Sequence, residues 1–227
     1  MFNRIFLSLC FLTALLAAPL VAREFSKPQN FQGFKMGLGA LRASPEVAVN
    51  LNTAGTQCAF NAQPQGFSLK GSLAYGYEVS GFFIGVEVYY QQSWSSFEGL
   101  AGFGGQTLKV ELSHKNGFGG LLLLGKNFGG VLPYLKAGYV VEKMRLQAST
   151  TTGTYLSFDP LLLGAFSYGI GLDTKVAPQV ILGFEIMFVG HAKEKQLSPQ
   201  GQPVPLSSGS MRLANSLGTT LKIAFLL

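Results

Sequence analysis

Four charged residues stand in small, mostly uncharged surroundings at matching distances from the chain's short turns: Glu87, Lys136, Glu185 and Lys222. Glu87 lies six residues past Gly81, Lys136 six past Gly130, Glu185 seven past Pro178, and Lys222 five before Leu227. On tilted strands rising about 3.3 Å per residue, all four fall near one mid-height. Two carboxylates and two ammoniums at one level can neutralise each other. If buried they must, because an unpaired charge away from water costs several kcal/mol. The expected chemistry is an interior charge network. It is read first as a structural plug, and alternatively as the lining of a gated ion path.

Other chemistries find fewer candidates. Acyl transfer needs a hydroxyl, a histidine and an acid brought together. The two histidines, His114 and His191, are expected on a fourth strand and above a seventh, which are not neighbours in an up-and-down order. Ser113 adjoins His114, but regular alternation points the two to opposite faces. Two distant histidines and Cys58 make no metal site. The glycine runs at Gly102–Gly105 and Gly117–Gly120 precede no helix, so they are not phosphate loops. No catalytic residue, metal ligand or cofactor is expected. The formal charge of +6 is scattered without a basic run, which argues against nucleic acid as a partner.

The elements that must position the charges are strands. The last stretch shows it best: Leu217, Thr219, Leu221, Ile223, Phe225 and Leu227 alternate with Ser216, Gly218, Thr220, Lys222 and Ala224, the period of a sheet with unlike faces. Similar alternation predicts strands near 32–42, 67–78, 82–94, 106–126, 133–144, 166–173, 180–188 and 215–227. The fourth is either one long strand or one bent at its glycine pairs. Connectors alternate long and short. Residues 43–65, 95–105, 147–159 and 191–209 read as long polar loops; 79–81, 127–130 and 177–179 read as tight turns.

Charged residues make up 12% of the chain against 29 glycines and 19 phenylalanines, well below the roughly 25% charge of ordinary soluble domains. One face of each strand is greasy and the other is mostly Gly, Ser, Ala and Thr. A soluble barrel would need a charged exterior, and neither face can supply one. Tyr75, Tyr77 and Phe82 flank one turn while Tyr90 and Trp94 mark the opposite rim, as two interfacial girdles would. Met1–Ala22 has the layout of a secretory signal peptide, with Arg4, an apolar run and a small-residue end. Residues 23–227 then form one domain. The fold class expected is all-β: an eight-stranded antiparallel up-and-down transmembrane β-barrel.

Three stretches carry a family resemblance: Leu132-Pro133-Tyr134-Leu135-Lys136-Ala137-Gly138-Tyr139; Tyr168-Gly169-Ile170-Gly171-Leu172-Asp173 leading through Pro178 to Phe184-Glu185; and the closing strand. They resemble the small outer-membrane barrels of Gram-negative bacteria, the OmpA transmembrane-domain and OmpX/Ail type of surface protein. Ser216, Gly218, Leu221, Ile223 and Phe225 resemble the insertion signal read by the barrel-assembly machinery, although the chain ends on Leu227 where the family has an aromatic residue. The resemblance implies an outer-membrane location, periplasmic termini, a lumen filled by side chains, and a structural or adhesive role presented by four extracellular loops. A narrow porin-like channel and, further off, a lipid-modifying barrel enzyme are the alternatives. Implied partners are outer-membrane lipids including lipopolysaccharide, the assembly machinery, and a host or envelope surface ligand.

Overall fold

The computed structural model describes residues 30–53, 56–103, 106–150, 155–158, 160–190, 192–197, 199–200, 206–214 and 216–227. The expected signal peptide and His191 lie outside them. In chain order the strands are β1 (Gly33–Ser44), β2 (Val47–Thr53), β3 (Thr56–Ala62), β4 (Gln65–Val79), β5 (Phe82–Phe103), β6 (Gln106–Lys126), β7 (Val131–Thr150), β8 (Tyr155–Phe158), β9 (Leu161–Ala177), β10 (Val180–Val189), β11 (Lys195–Leu197), β12 (Pro199–Gln200), β13 (Leu206–Leu213) and β14 (Ser216–Leu226).

Eight of them close a ring in the order β1, β4, β5, β6, β7, β9, β10, β14, every neighbour antiparallel. The closing seam runs from Lys35 opposite Leu226 to Ser44 opposite Leu217, so the first and last barrel strands remove each other's edges. The tight turns hold one end. Ser80 and Gly81 both take positive φ, 50° and 80°, the backbone a two-residue hairpin needs to match strand twist. Asn127 donates its backbone N–H to the Gly81 carbonyl at 2.7 Å, tying two turns together.

Outward side chains form an apolar belt. Leu122, Leu135 and Ile170 are 61%, 62% and 53% exposed, and Tyr75, Tyr77, Phe82, Tyr90 and Trp94 all lie on this outer surface. Pro133 to Val141 covers roughly 20 Å along the axis at 3.3 Å per residue and a tilt near 40°, close to a hydrocarbon core's demand. Among the described residues no helix is long and apolar enough to cross a membrane; here the strands do the crossing, with backbone hydrogen bonds closed around the ring. Leu221, Ile223 and Phe225 face outward and Gly218 is buried on the opposite face.

At the loop end the structure departs from the expectation of four long polar loops. Residues 43–65 contain the β2–β3 hairpin, β5 runs on through 95–103, β7 continues to Thr150 with β8 beyond it, and 191–209 contributes β11, β12 and the start of β13. Strands β11, β13, β2 and β3 make a second, four-stranded sheet. Its pattern was hidden because the polar partners in V-A-V-N-L-N look like loop residues. Val47, Val49 and Leu51 are nevertheless buried at 0–1% exposure, packed with Leu108, Val110, Leu112, Met144 and Leu146. The fourth barrel strand is one unbroken element, β6, whose register slips between His114 and Asn116 against β7. That bulge reverses its faces. Phe118, Leu122 and Leu124 point out below it, while Leu108, Val110 and Leu112 point in above it, although all six carry even numbers.

Candidate functional site

The lumen is stacked in four layers from the turn end upward. The lowest is apolar: Phe31, fully buried, packs with Phe83, Leu123, Leu132 and Ile181. Its backbone N–H donates to Glu78 Oε2 at 2.9 Å, and Asn127 Nδ2 donates to Glu78 Oε1 at 2.9 Å, so one carboxylate pins the incoming chain to a turn. Lys175 Nζ donates to the Asn30 carbonyl. The Lys35 and Lys175 ammoniums also sit 5.0 and 5.4 Å from the Phe31 ring centroid, within cation–π range.

The second layer is ionic, and it holds Glu87, Lys136, Glu185 and Lys222 together. Glu185, on β10 and fully buried, is its hub. Oε2 accepts from Lys136 Nζ at 2.5 Å and Lys70 Nζ at 3.1 Å. Oε1 accepts from Tyr134 Oη at 2.8 Å and Lys222 Nζ at 3.0 Å. Glu87 on β5 accepts from Lys70 at 2.6 Å and lies 3.7 Å from Lys136. Lys222 also meets Asp173 at 2.9 Å, and Lys35 approaches Asp173 at 4.0 Å. Strands from every quarter of the ring thus meet on one carboxylate, and each charge faces an opposite one, as burial requires.

Small residues make room for this layer. A Cβ on Gly171 would fall 2.3 Å from the Tyr134 ring, and one on Gly183 would fall 2.4 Å from Lys222 and 2.5 Å from Asp173. Lys70, Asp173, Tyr134 and Lys35 join the network without having been singled out by counting from the turns. Parity alone placed Lys70 and Asp173 on the inner face. The stagger between strands hid their height: Lys70 is opposite Gln91, four residues above Glu87, and its four-carbon stem spans the difference.

The third layer centres on Glu142. His114 Nε2 lies 2.6 Å from Glu142 Oε2, and Gln91 Nε2 donates to both carboxylate oxygens at 3.2 and 3.1 Å. Ser68, Ser93 and Ser95 continue the polar ring through hydroxyl contacts of 2.6 and 3.1 Å. A cavity of about 40 Å³ touches His114, Glu142, Gln91, Tyr89 and Lys70, room for a few waters. His114 therefore has a carboxylate partner from the neighbouring strand, a pairing the sequence reading did not anticipate. Cys58 is half-buried on β3. The fourth layer is the apolar core under the second sheet.

No family model matches the sequence, and no curated protein matches it. Solved structures do. The outer membrane protease OmpT from Escherichia coli superposes with a TM-score of 0.57 at 8% identity, covering 90% of this chain and 98% of that one. The outer membrane protein OprG from Pseudomonas aeruginosa gives 0.56 at 10% identity, with 86% and 96% covered. The fold is that of an outer-membrane β-barrel. At such identities the likeness carries the architecture alone. An outer-membrane β-barrel of eight strands has an interior just wide enough for side chains to fill, and the four layers are how this barrel fills it.

Proposed function

We propose that the chain is an outer-membrane surface protein with a closed lumen, both termini on the periplasmic side, and a structural or adhesive role carried by its extracellular half. The observation that supports this most directly is the stacking of two apolar layers around two polar ones. Ions would have to pass Phe31 and its partners at one end and the core beneath the second sheet at the other, each excluding water. A closed stave offers rigidity to the envelope, and a folded sheet held on it offers a defined surface to another cell or molecule.

Purified protein in a planar bilayer is expected to show no discrete conductance steps. Regular single-channel openings in the wild type would overturn the closed-lumen reading in favour of a narrow channel. The adhesive role has its own measurement. Cells expressing a variant lacking the β2–β3 hairpin (47–62) should lose most of their attachment to host or abiotic surfaces, with barrel levels in the membrane unchanged. Unaltered attachment would leave only the structural role.

The enzyme reading has less behind it. His114 and Glu142 form a dyad, but His114 commits Nε2 to Glu142, the same carboxylate also accepts from Gln91, and among the described residues the buried Nδ1 of His114 meets no hydroxyl nucleophile that it could activate. We assign them to packing the lumen.

A further inference from the structure

The ionic layer is one carboxylate short. Lys35, Lys70, Lys136 and Lys222 are buried in it or at its edge, and among the described residues only Glu87, Asp173 and Glu185 answer them. The shortfall falls on Lys35. Its nearest carboxylate oxygen, on Asp173, is 4.0 Å away, and the other oxygen of that group already holds Lys222 at 2.9 Å. The adjoining layers do not repair the balance. Below, Lys175 and Glu78 offset each other in count; above, Glu142 is taken by His114 and stands six residues past Lys136 on β7, roughly 15 Å higher. The Phe83 and Phe31 rings, 4.4 and 5.0 Å from Lys35 Nζ, soften the burial of the ammonium without cancelling its charge.

Lys35 also lines a cavity of about 20 Å³, which it shares with Ser72, Phe83, Glu87, Asp173 and Lys222. Small residues on β1 and β4 make the space: Gly37 stands opposite Ser72, and Ala74 stands opposite Lys35 on one side and Glu87 on the other. That volume takes one occupant about the size of water. We infer that the cavity beside Lys35 binds one small monovalent anion, chloride by size. A water there would leave the surplus ammonium without a counter-charge, and a buried charge without its partner is strongly destabilising. Phosphate, sulfate and organic carboxylates exceed the space. The site offers the anion the Lys35 ammonium and the Ser72 hydroxyl as donors. The two carboxylates on its wall are already held, Glu87 by Lys70 at 2.6 Å and Asp173 by Lys222 at 2.9 Å. The site is separate from the adhesive role: it makes the stability of the barrel depend on an ion taken from the medium.

The test uses full-length protein refolded in micelles with radiolabelled chloride or, at matched ionic strength, with gluconate, an anion too large for the cavity. Equilibrium dialysis should find one chloride per wild-type barrel, and the urea midpoint should rise with chloride concentration but not with gluconate. Lys35→Met should bind none and unfold at the same midpoint in both salts, because the ammonium that needs the anion is gone. Ala74→Val narrows the cavity and keeps every charge, so it should lose the chloride as well and decides the matter even if Lys35→Met does not refold. Lys109→Gln, a distant exposed cation, should match the wild type. Intact barrels are verified for all by their shifted electrophoretic mobility without heating. A wild type that binds no chloride overturns the inference, since Lys35 is then uncharged or faces water alone. Chloride bound equally by Lys35→Met overturns it too, as does an equal rise of the wild-type midpoint in gluconate, which would be a general effect of salt.

Discussion

Replacing Glu185 with alanine lowers the unfolding free energy in lipid by about 3–5 kcal/mol, the cost of leaving buried charges without their partner. Among the described residues no other in the lumen is shared so widely: three ammoniums and a phenol converge on its two oxygens. Without it Lys136 keeps, among the described residues, only Glu87, at 3.7 Å, and Lys70, Lys136 and Lys222 repel one another away from bulk water. Glu185→Gln separates charge from volume, since the amide keeps the shape and one acceptor oxygen. It should still be strongly destabilising. Adding Lys136→Met to Glu185→Gln removes one surplus ammonium and should restore part of the loss, with a coupling of about 0.5–3 kcal/mol between the two sites. Urea unfolding of refolded protein in micelles, followed by tryptophan fluorescence, measures Glu185→Ala, Glu185→Gln, Lys136→Met alone and the double variant. A Glu185→Ala variant within 1 kcal/mol of wild type, or strict additivity of the pair, would show that the network is decoration.

Ile170→Arg is expected to cost about 2–4 kcal/mol in bilayers, the penalty for arginine at a barrel's lipid-facing midplane. Ile170 is opposite Leu135 and Ile186, mid-belt, with its side chain pointing out. Leu100→Arg provides the contrast. Leu100 is 77% exposed, more so than Ile170, but lies far up β5 beyond the belt, and the same substitution there should change stability by under about 0.5 kcal/mol. Exposure alone would rate both positions as tolerant. Equal effects at both sites would mean that the outer face of the barrel meets water.

The two experiments probe what was legible at different levels. Within the belt, alternation was sufficient: the ring strands lie where parity predicted, and Glu87, Lys136, Glu185 and Lys222 occupy one layer. Period 2 divides two solvents there, hydrocarbon outside and a crowded polar lumen inside, so side-chain type reports its face directly. Above the belt that report fails. Val47, Val49 and Leu51 alternate with alanine and asparagine, as polar loop composition would, and only the packing of the second sheet against Leu108, Val110 and Leu112 shows them as core. Lys70 and Asp173 were on the correct face but at an unread height, because the stagger of a closed barrel shifts each strand relative to its neighbour, and no count along a single strand contains that shift.

Strand β6 draws the line between the two kinds of information. Local chemistry specifies its extended backbone and its even-numbered apolar set from Leu108 to Leu124, since both depend on side chains a few residues apart. Which way that set points does not follow from the chain. Below Lys115 it faces lipid and above it faces the core, and one extra residue makes the difference. The bulge forms there because β7 and the second sheet have to be satisfied together: an unbroken register would turn Leu108, Val110 and Leu112 to water and leave the upper lumen empty. The same holds for Glu142 and His114, partners from adjacent strands 28 residues apart, which meet only when the ring is closed.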